Sequence, residues 1–194
     1  MAHLVRLHAA VTLFALSAAV VAAVPQETEQ AEAAALRAFD ERIGEYAAIH
    51  RRLEGPLPPL RPSRSLRSVI LNRKYLASAI KTARPHAREG DIFTPAVAPL
   101  FRGVINQTLQ GRNAEAIVRD LFEEHPPMQA FHPRVYDPYP DWATHEMPVI
   151  LLQRLPPLPE DIEYRLIDHD LVLWDIHADL IVDVLRDAIP RPTT

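Results

Sequence analysis

The fold of this chain is decided near its C-terminus, where residues 164–185 are YRLIDHDLVLWDIHADLIVDVL. Three runs rich in aliphatic, β-branched and aromatic residues are separated there by Asp168-His169-Asp170 and by His177-Ala178-Asp179. Apolar runs with such polar interruptions predict strands joined by short turns. We therefore expect a three-stranded antiparallel meander over residues 162–187, which needs helices against one face to be stable.

Two helices are predicted before this meander, because apolar residues recur there three and four positions apart. The first is expected over residues 29–54, and the second over residues 66–87, with Ser63 or Ser65 as its cap and a kink or an end at Pro85. The first apolar seam consists of Leu36, Phe39, Ile43, Tyr46, His50 and Leu53. Two successive seams predict an antiparallel helix pair in which Leu76 and Ile80 face the first seam.

Two further helices and a loop complete the expected chain. Thr94, followed by Pro95, is a suitable cap for a third helix, and Asn113 for a fourth. Residues 126–159 hold nine prolines and no glycine, which predicts an ordered loop with at most a short helix starting at Pro148. The fold class is therefore α+β, with the helix pair and two more helices before the meander.

The first 23 residues have the pattern of a cleavable export signal. Arg6 precedes an apolar stretch from Ala9 to Ala23, and Val21-Ala22-Ala23 ends it with small residues suited to cleavage. The stretch is shorter than the roughly 20 residues that a spanning helix needs, which disfavours the alternative of an uncleaved anchor. We expect one globular domain over residues 24–194, periplasmic or secreted, with its helical part at residues 27–125.

Several classes of function are disfavoured by what the sequence lacks. It contains no cysteine, and no glycine follows Gly111, so thiol chemistry and glycine-rich nucleotide loops have no candidate there. His145-Glu146 begins like a zinc-protease motif, but Val149 stands where the second histidine is required. We expect no organic cofactor and no nucleic-acid partner.

A metal site is the most specific chemistry that the meander suggests. Its polar residues are Asp168, His169, Asp170, Asp175, His177, Asp179 and Asp183. His169, Asp175 and His177 are the candidate ligands, since imidazole and carboxylate suit divalent zinc, nickel or copper. The competing and preferred interpretation is that these are ordinary turn residues.

A second candidate site lies in the proline-rich loop, where Tyr136, Tyr139 and Trp142 stand close to several carboxylates. Such a mixture could line a ligand cleft. The preferred alternative is that these aromatic rings fold back over the core. His50, in the first helix seam, is likewise expected to be a packed core residue.

Charge is unevenly distributed along the chain. Residues 51–88 contain ten basic residues and one acid, whereas residues 113–194 contain six basic residues and sixteen acids. A basic stripe, spaced by sevens on the second helix, consists of Arg67, Lys74, Lys81 and Arg88. It could attract phosphate, lipopolysaccharide or another anionic surface, or it could simply pair with the acidic half of the same domain.

Two resemblances extend this interpretation. The segments RLEGPLPPL at residues 52–60 and GDIFTP at residues 90–95, with the meander, resemble a group of uncharacterised exported bacterial proteins. Leu158-Pro159, Tyr164 and the final strands are similar to the terminal hairpin of the periplasmic nickel/cobalt homeostasis protein family, which implies metal handling. This chain departs from that family by lacking its glycines and histidine-bearing leader.

Taken together, these patterns favour a periplasmic, non-enzymatic binding or structural protein that is not an integral membrane protein. A metal-handling protein using the His and Asp residues of the meander is the alternative, and an enzyme is the third possibility.

Overall fold

The structure is a computed structural model that describes residues 23–57, 65–110, 131–143 and 147–189. Its α+β architecture confirms the predicted fold class. The helices of the described ranges are α1 (Ala23–Glu54), α2 (Leu66–Ala83), α3 (Ala98–Leu109) and α4 (Val149–Leu152). The strands are β1 (Ile162–Ile167), β2 (Asp170–Asp175) and β3 (Leu180–Leu185).

The strands form an antiparallel sheet in the order β1-β2-β3, as the sequence predicts. Ile167 pairs with Asp170, so β1 and β2 are joined by the two residues Asp168 and His169, and Asp168 has a φ of 53°. Aspartate tolerates this left-handed conformation better than most residues, which explains its place in the turn.

A β-bulge interrupts the pairing of β2 with β3. Leu173 lies opposite Asp183 and Trp174 opposite Ile181, so Val182 is the extra residue. The extra residue shifts the alternation of the strand. As a result, Val182 and Leu185 pack in the main core, while Ile181 and Val184 pack on the opposite face of the sheet.

The main core lies between the helices and one face of the sheet. Phe39 and Ile43 of α1, Leu76 and Ile80 of α2, and Phe101 of α3 are buried in it. Phe39 and Phe101 have ring centroids 4.9 Å apart. The two predicted seams therefore meet in one core, as expected from their periodicity.

The proline-rich loop covers the second face of the sheet. Ala143 is buried there against Val172 and Ile181, with Phe131 and Tyr139 packed around them. The backbone N–H of Tyr136 donates to Ile181 O at 2.8 Å, and Ile181 N–H donates to Asp137 O at 2.8 Å. The loop is thus attached to the outer strand of the sheet.

Some predicted helix boundaries differ from the structure. α1 begins at Ala23 rather than at residue 29, and Pro25 lies in its first turn, where proline is tolerated because the N–H that it lacks would have no partner within the helix. α2 ends at Ala83, before Pro85, as the proline predicts. The prediction of Thr94 as the cap of the third helix is wrong, since α3 begins at Ala98 with Val97 as its N-cap. Thr94 O accepts from Val97 N and Ala98 N in the turn that precedes the helix.

The remaining predicted elements have different outcomes. The short helix expected at Pro148 is confirmed by α4. The predicted signal before Ala23 and the fourth helix capped by Asn113 lie outside the described residues. Within the described ranges, no helix combines the length and the apolar character that crossing a bilayer requires.

Candidate metal centre

A buried carboxylate connects the sheet to α1. Asp175 ends β2 on the same face as Leu171 and Leu173, which pack in the main core. It is fully buried. Its Oδ2 accepts a 2.6 Å hydrogen bond from the Tyr46 hydroxyl and lies 2.6 Å from His50 Nδ1. Hydrogen bonds from Tyr46 and His50 of α1 compensate for the burial of this charge.

The other oxygen of Asp175 organises the turn that follows β2. Asp175 Oδ1 accepts backbone hydrogen bonds from His177 N at 3.1 Å and Ala178 N at 2.8 Å. One carboxylate therefore orients the ring of His50 and fixes the backbone that carries His177.

Three side chains of α1 reach this region, because they are spaced one helical turn apart. Tyr46, His50 and Glu54 follow each other at intervals of four residues, which places them on one face. His50 is fully buried, whereas Glu54, the last residue of the helix, is partly exposed. The face thus changes from apolar to polar as it approaches the end of α1.

The loop before β1 supplies a further acid, Asp161. Ile162 N donates to Pro159 O at 3.0 Å, which forms the turn that holds this loop. The carbonyl of Asp161 accepts from Ile176 N at 3.1 Å, next to His177. The start of β1 and the β2–β3 turn are thereby joined, and their side chains face the end of α1.

Four side chains converge at this junction: His50, Glu54, Asp161 and His177. One potential ligand atom from each lies within 4.8 Å of the others. His50 Nε2 is 3.2 Å from Glu54 Oε2 and 3.7 Å from Asp161 Oδ2. His177 Nδ1 is 2.8 Å from Glu54 Oε1 and 3.5 Å from Asp161 Oδ1. One nitrogen of each imidazole therefore faces both carboxylates.

This arrangement requires a positive charge at its centre. A carboxylate is only an acceptor, so the hydrogen bond to Asp175 places a proton on His50 Nδ1. A neutral His50 would then turn the lone pair of Nε2 toward Glu54 and Asp161. Lone pairs facing anions repel each other. Either a proton on Nε2 or a metal ion removes that repulsion.

The electrostatics favour a cation in the same way. Burial opposes the charged form of His50, but its hydrogen bond to Asp175 and the charges of Asp175, Asp161 and Glu54 together raise its pKa above the usual value. Burial, with the adjacent charge of Asp175, raises the pKa of Tyr46, so its hydroxyl stays protonated and donates. The cluster holds positive charge more strongly than an isolated histidine does.

The four groups fit a first-row divalent ion in kind and size. Two imidazole nitrogens and two carboxylate oxygens form a mixed set typical of zinc and its neighbours, whereas soft Cu(I) prefers thiolates and thioethers. In a tetrahedral site, ligands about 2.0–2.2 Å from the ion lie roughly 3.3–3.6 Å apart. Because the four atoms lie within 4.8 Å of one another, the longest separation must shorten by up to about 1 Å when an ion binds.

The structure places the three metal ligands predicted in the meander, His169, Asp175 and His177, in different surroundings. His177 belongs to the four-residue cluster. Asp175 lies outside the cluster and hydrogen-bonds to His50. His169 lies in the other turn, where its Nδ1 is 3.0 Å from Ile189 O. His50, expected to be a packed core histidine, is fully buried and also belongs to the cluster. Glu54 and Asp161 were not predicted.

The aromatic residues of the proline-rich loop contact different parts of the protein. Tyr136 donates its hydroxyl to Arg84 O, whereas the Tyr139 ring lies 4.8 Å from that of Trp174. Trp142 packs edge-on against Phe131 with 5.8 Å between ring centroids. Tyr136 and Tyr139 pack against two different apolar clusters, as the core-covering alternative expects.

Comparison of the chain with protein-family models, curated proteins and solved structures gives no match. The function of the cluster must therefore be argued from its own geometry.

Proposed function

We propose that this chain is an exported metal-binding protein that holds one divalent transition-metal ion between His50, Glu54, Asp161 and His177. The observation that carries the proposal is the convergence of four ligand atoms within 4.8 Å at a point where two imidazoles face two carboxylates. Asp175 supports it, because metal-binding histidines commonly donate their other N–H to a carboxylate.

The proposal is of metal binding rather than catalysis. Four protein ligands are enough to complete the tetrahedral coordination of a zinc ion, as in sites that hold the metal without using it chemically. The nickel/cobalt resemblance of the hairpin stays a prediction, and it concerns the same strands that flank His177. Zinc and nickel are therefore the ions to test first.

A ring of ion pairs is the competing interpretation of the same contacts. If His50 and His177 are both protonated, they can neutralise two of the three carboxylates without any metal. The two interpretations predict different responses of the protein to zinc, because a bound metal must replace the proton on His50 Nε2.

Calorimetric titration of the metal-free protein with ZnCl2 at neutral pH tests the proposal. We expect saturable binding of one ion per chain, and a loss of at least about tenfold in affinity for Asp161→Asn and for His177→Gln. The matched controls are Asp168→Asn and His169→Gln, the same two changes in the β1–β2 turn. Unchanged binding in the cluster variants, or an equal loss in the controls, would refute this site.

A further inference from the structure

The outer face of α2 combines cations with large exposed apolar side chains. This face, directed away from the buried Leu76 and Ile80, consists of Arg67, Ile70, Leu71, Lys74 and Tyr75. Tyr75 is 63 % exposed, while Ile70 and Leu71 are 43 % and 44 % exposed. Leaving three large apolar side chains in water on one helix face is unfavourable unless another surface covers them.

The charge of α2 is entirely of one sign. Its sequence LRSVILNRKYLASAIKTA contains four basic residues and no acid. Arg73, on the inner side, lies 3.4 Å from Asp179, and Arg88 beyond the helix lies 3.6 Å from Asp91. With the residues that the structure describes, Arg67 and Lys74 form no ion pair. The acids that the structure describes therefore do not neutralise Arg67 and Lys74.

We propose that the outer face of α2 binds the surface of an anionic phospholipid bilayer. A helix lying in that interface buries its apolar side chains below the headgroups, while Lys and Arg extend toward the phosphates. Ile70 and Leu71 match the first requirement, and Arg67 and Lys74 match the second. Tyr75 is amphipathic and suits the boundary between the two layers.

The chemistry favours a bilayer over a soluble acidic partner. An acidic protein surface would neutralise Arg67 and Lys74, but it would leave the apolar residues between them facing polar groups. A phospholipid bilayer can contact both the cations and the apolar side chains, because its phosphates lie directly above the acyl chains. This inference is independent of the metal centre, which is built from α1 and the sheet.

Co-sedimentation with vesicles tests the inference on the full chain. The vesicles are phosphatidylcholine alone or phosphatidylcholine mixed with phosphatidylglycerol, and the quantity compared is the extra binding that the anionic lipid causes. We expect binding that weakens with added salt and falls by about tenfold or more in the double variant Arg67→Gln/Lys74→Gln. Binding of the double variant Leu71→Ser/Tyr75→Ser should fall similarly, because the apolar area that enters the bilayer is lost.

The matched control is Arg37→Gln/Arg154→Gln, which removes the same charge at exposed positions on other elements. Its binding should stay close to that of the wild type. The inference is overturned if the control falls as far as the α2 variants, or if anionic lipid causes no extra binding. A dimer in sedimentation that Leu71→Ser/Tyr75→Ser dissociates would assign the face to a second copy of the chain and would also overturn the inference.

Discussion

The side chain of Asp175 lies 2.6 Å from Nδ1 of His50, although the two residues are 125 positions apart in the chain. Both side chains are fully buried. The contact sets the tautomer of the imidazole and thereby aims Nε2 at Glu54 and Asp161.

Replacing this carboxylate should weaken both metal binding and the fold. Asp175→Asn keeps the shape but removes the charge and turns an N–H2 donor toward groups that donate to it. We expect zinc affinity to fall about 10- to 100-fold and unfolding free energy to fall by about 1–3 kcal/mol. Calorimetry and urea titration measure the two effects. Asp179→Asn, the same change in the same turn, is the control and should bind zinc as the wild type does.

The stabilisation that zinc gives to the protein should increase as the pH rises. Because the folded-state pKa of His50 is raised, its protonation stabilises the metal-free protein fully below the unfolded value of about 6.5. That contribution disappears as pH rises through the folded value. Zinc competes with the same proton, so the increase in melting temperature that zinc causes should grow over this range. Thermal melts with zinc or with a chelator measure it, and an increase that shrinks with pH contradicts the competition.

Truncation of the α2 seam should distinguish its buried face from its outer face. Leu76 is buried in the main core, so Leu76→Ala should lower unfolding free energy by about 2–5 kcal/mol. Leu71 is largely exposed on the same helix, and Leu71→Ala should change it by no more than about 0.5 kcal/mol in solution. Urea unfolding of both variants provides the comparison; equal losses would mean that the packing of α2 is incorrectly assigned.

Asp183 is expected to be the most sensitive acid outside the candidate metal centre. This fully buried carboxylate accepts backbone hydrogen bonds from Gly90, Ile92, Phe93 and Val184. Asp183→Ala leaves those donors without a partner, and we expect a loss of about 3 kcal/mol or more. Asp141→Ala, at an exposed position, should cost less than about 0.5 kcal/mol. A similar melting temperature for both variants would contradict this role.

Export is tested by the N-terminus of the protein recovered from cells. The small residues Val21-Ala22-Ala23 favour cleavage after Ala23, so the exported form should begin at Val24. Mass spectrometry of the periplasmic and membrane fractions measures this directly. Intact chain starting at Met1 and recovered with membranes would show that the segment is retained as an anchor.

The sequence predicts the secondary structure better than it predicts the site, because periodicity is a local property. The seams of α1 and α2 and the three strand runs follow from neighbouring residues alone. The bulge at Val182 does not follow from neighbouring residues. An extra residue changes which side chains face the core without changing the composition of the strand.

The candidate site depends on contacts between residues that are distant in the sequence, but two features of the sequence indicate it. His50 occupies an apolar seam, and Asp175 shares the alternation of Leu171 and Leu173, so each is a polar group directed at the core. A buried polar group needs a partner, and these two groups could have been matched to each other. Glu54 and Asp161 carry no such signal, because both are partly exposed acids at the ends of elements.

The ligands also lie far apart along the chain, since 123 positions separate Glu54 from His177. An ion held by both would connect the first helix to the last hairpin, as a disulfide does in many exported proteins. This chain has no cysteine with which to make such a bond. A coordinated ion would stabilise the connection by binding only to the folded chain, and it could be withdrawn by a chelator and restored without an oxidant.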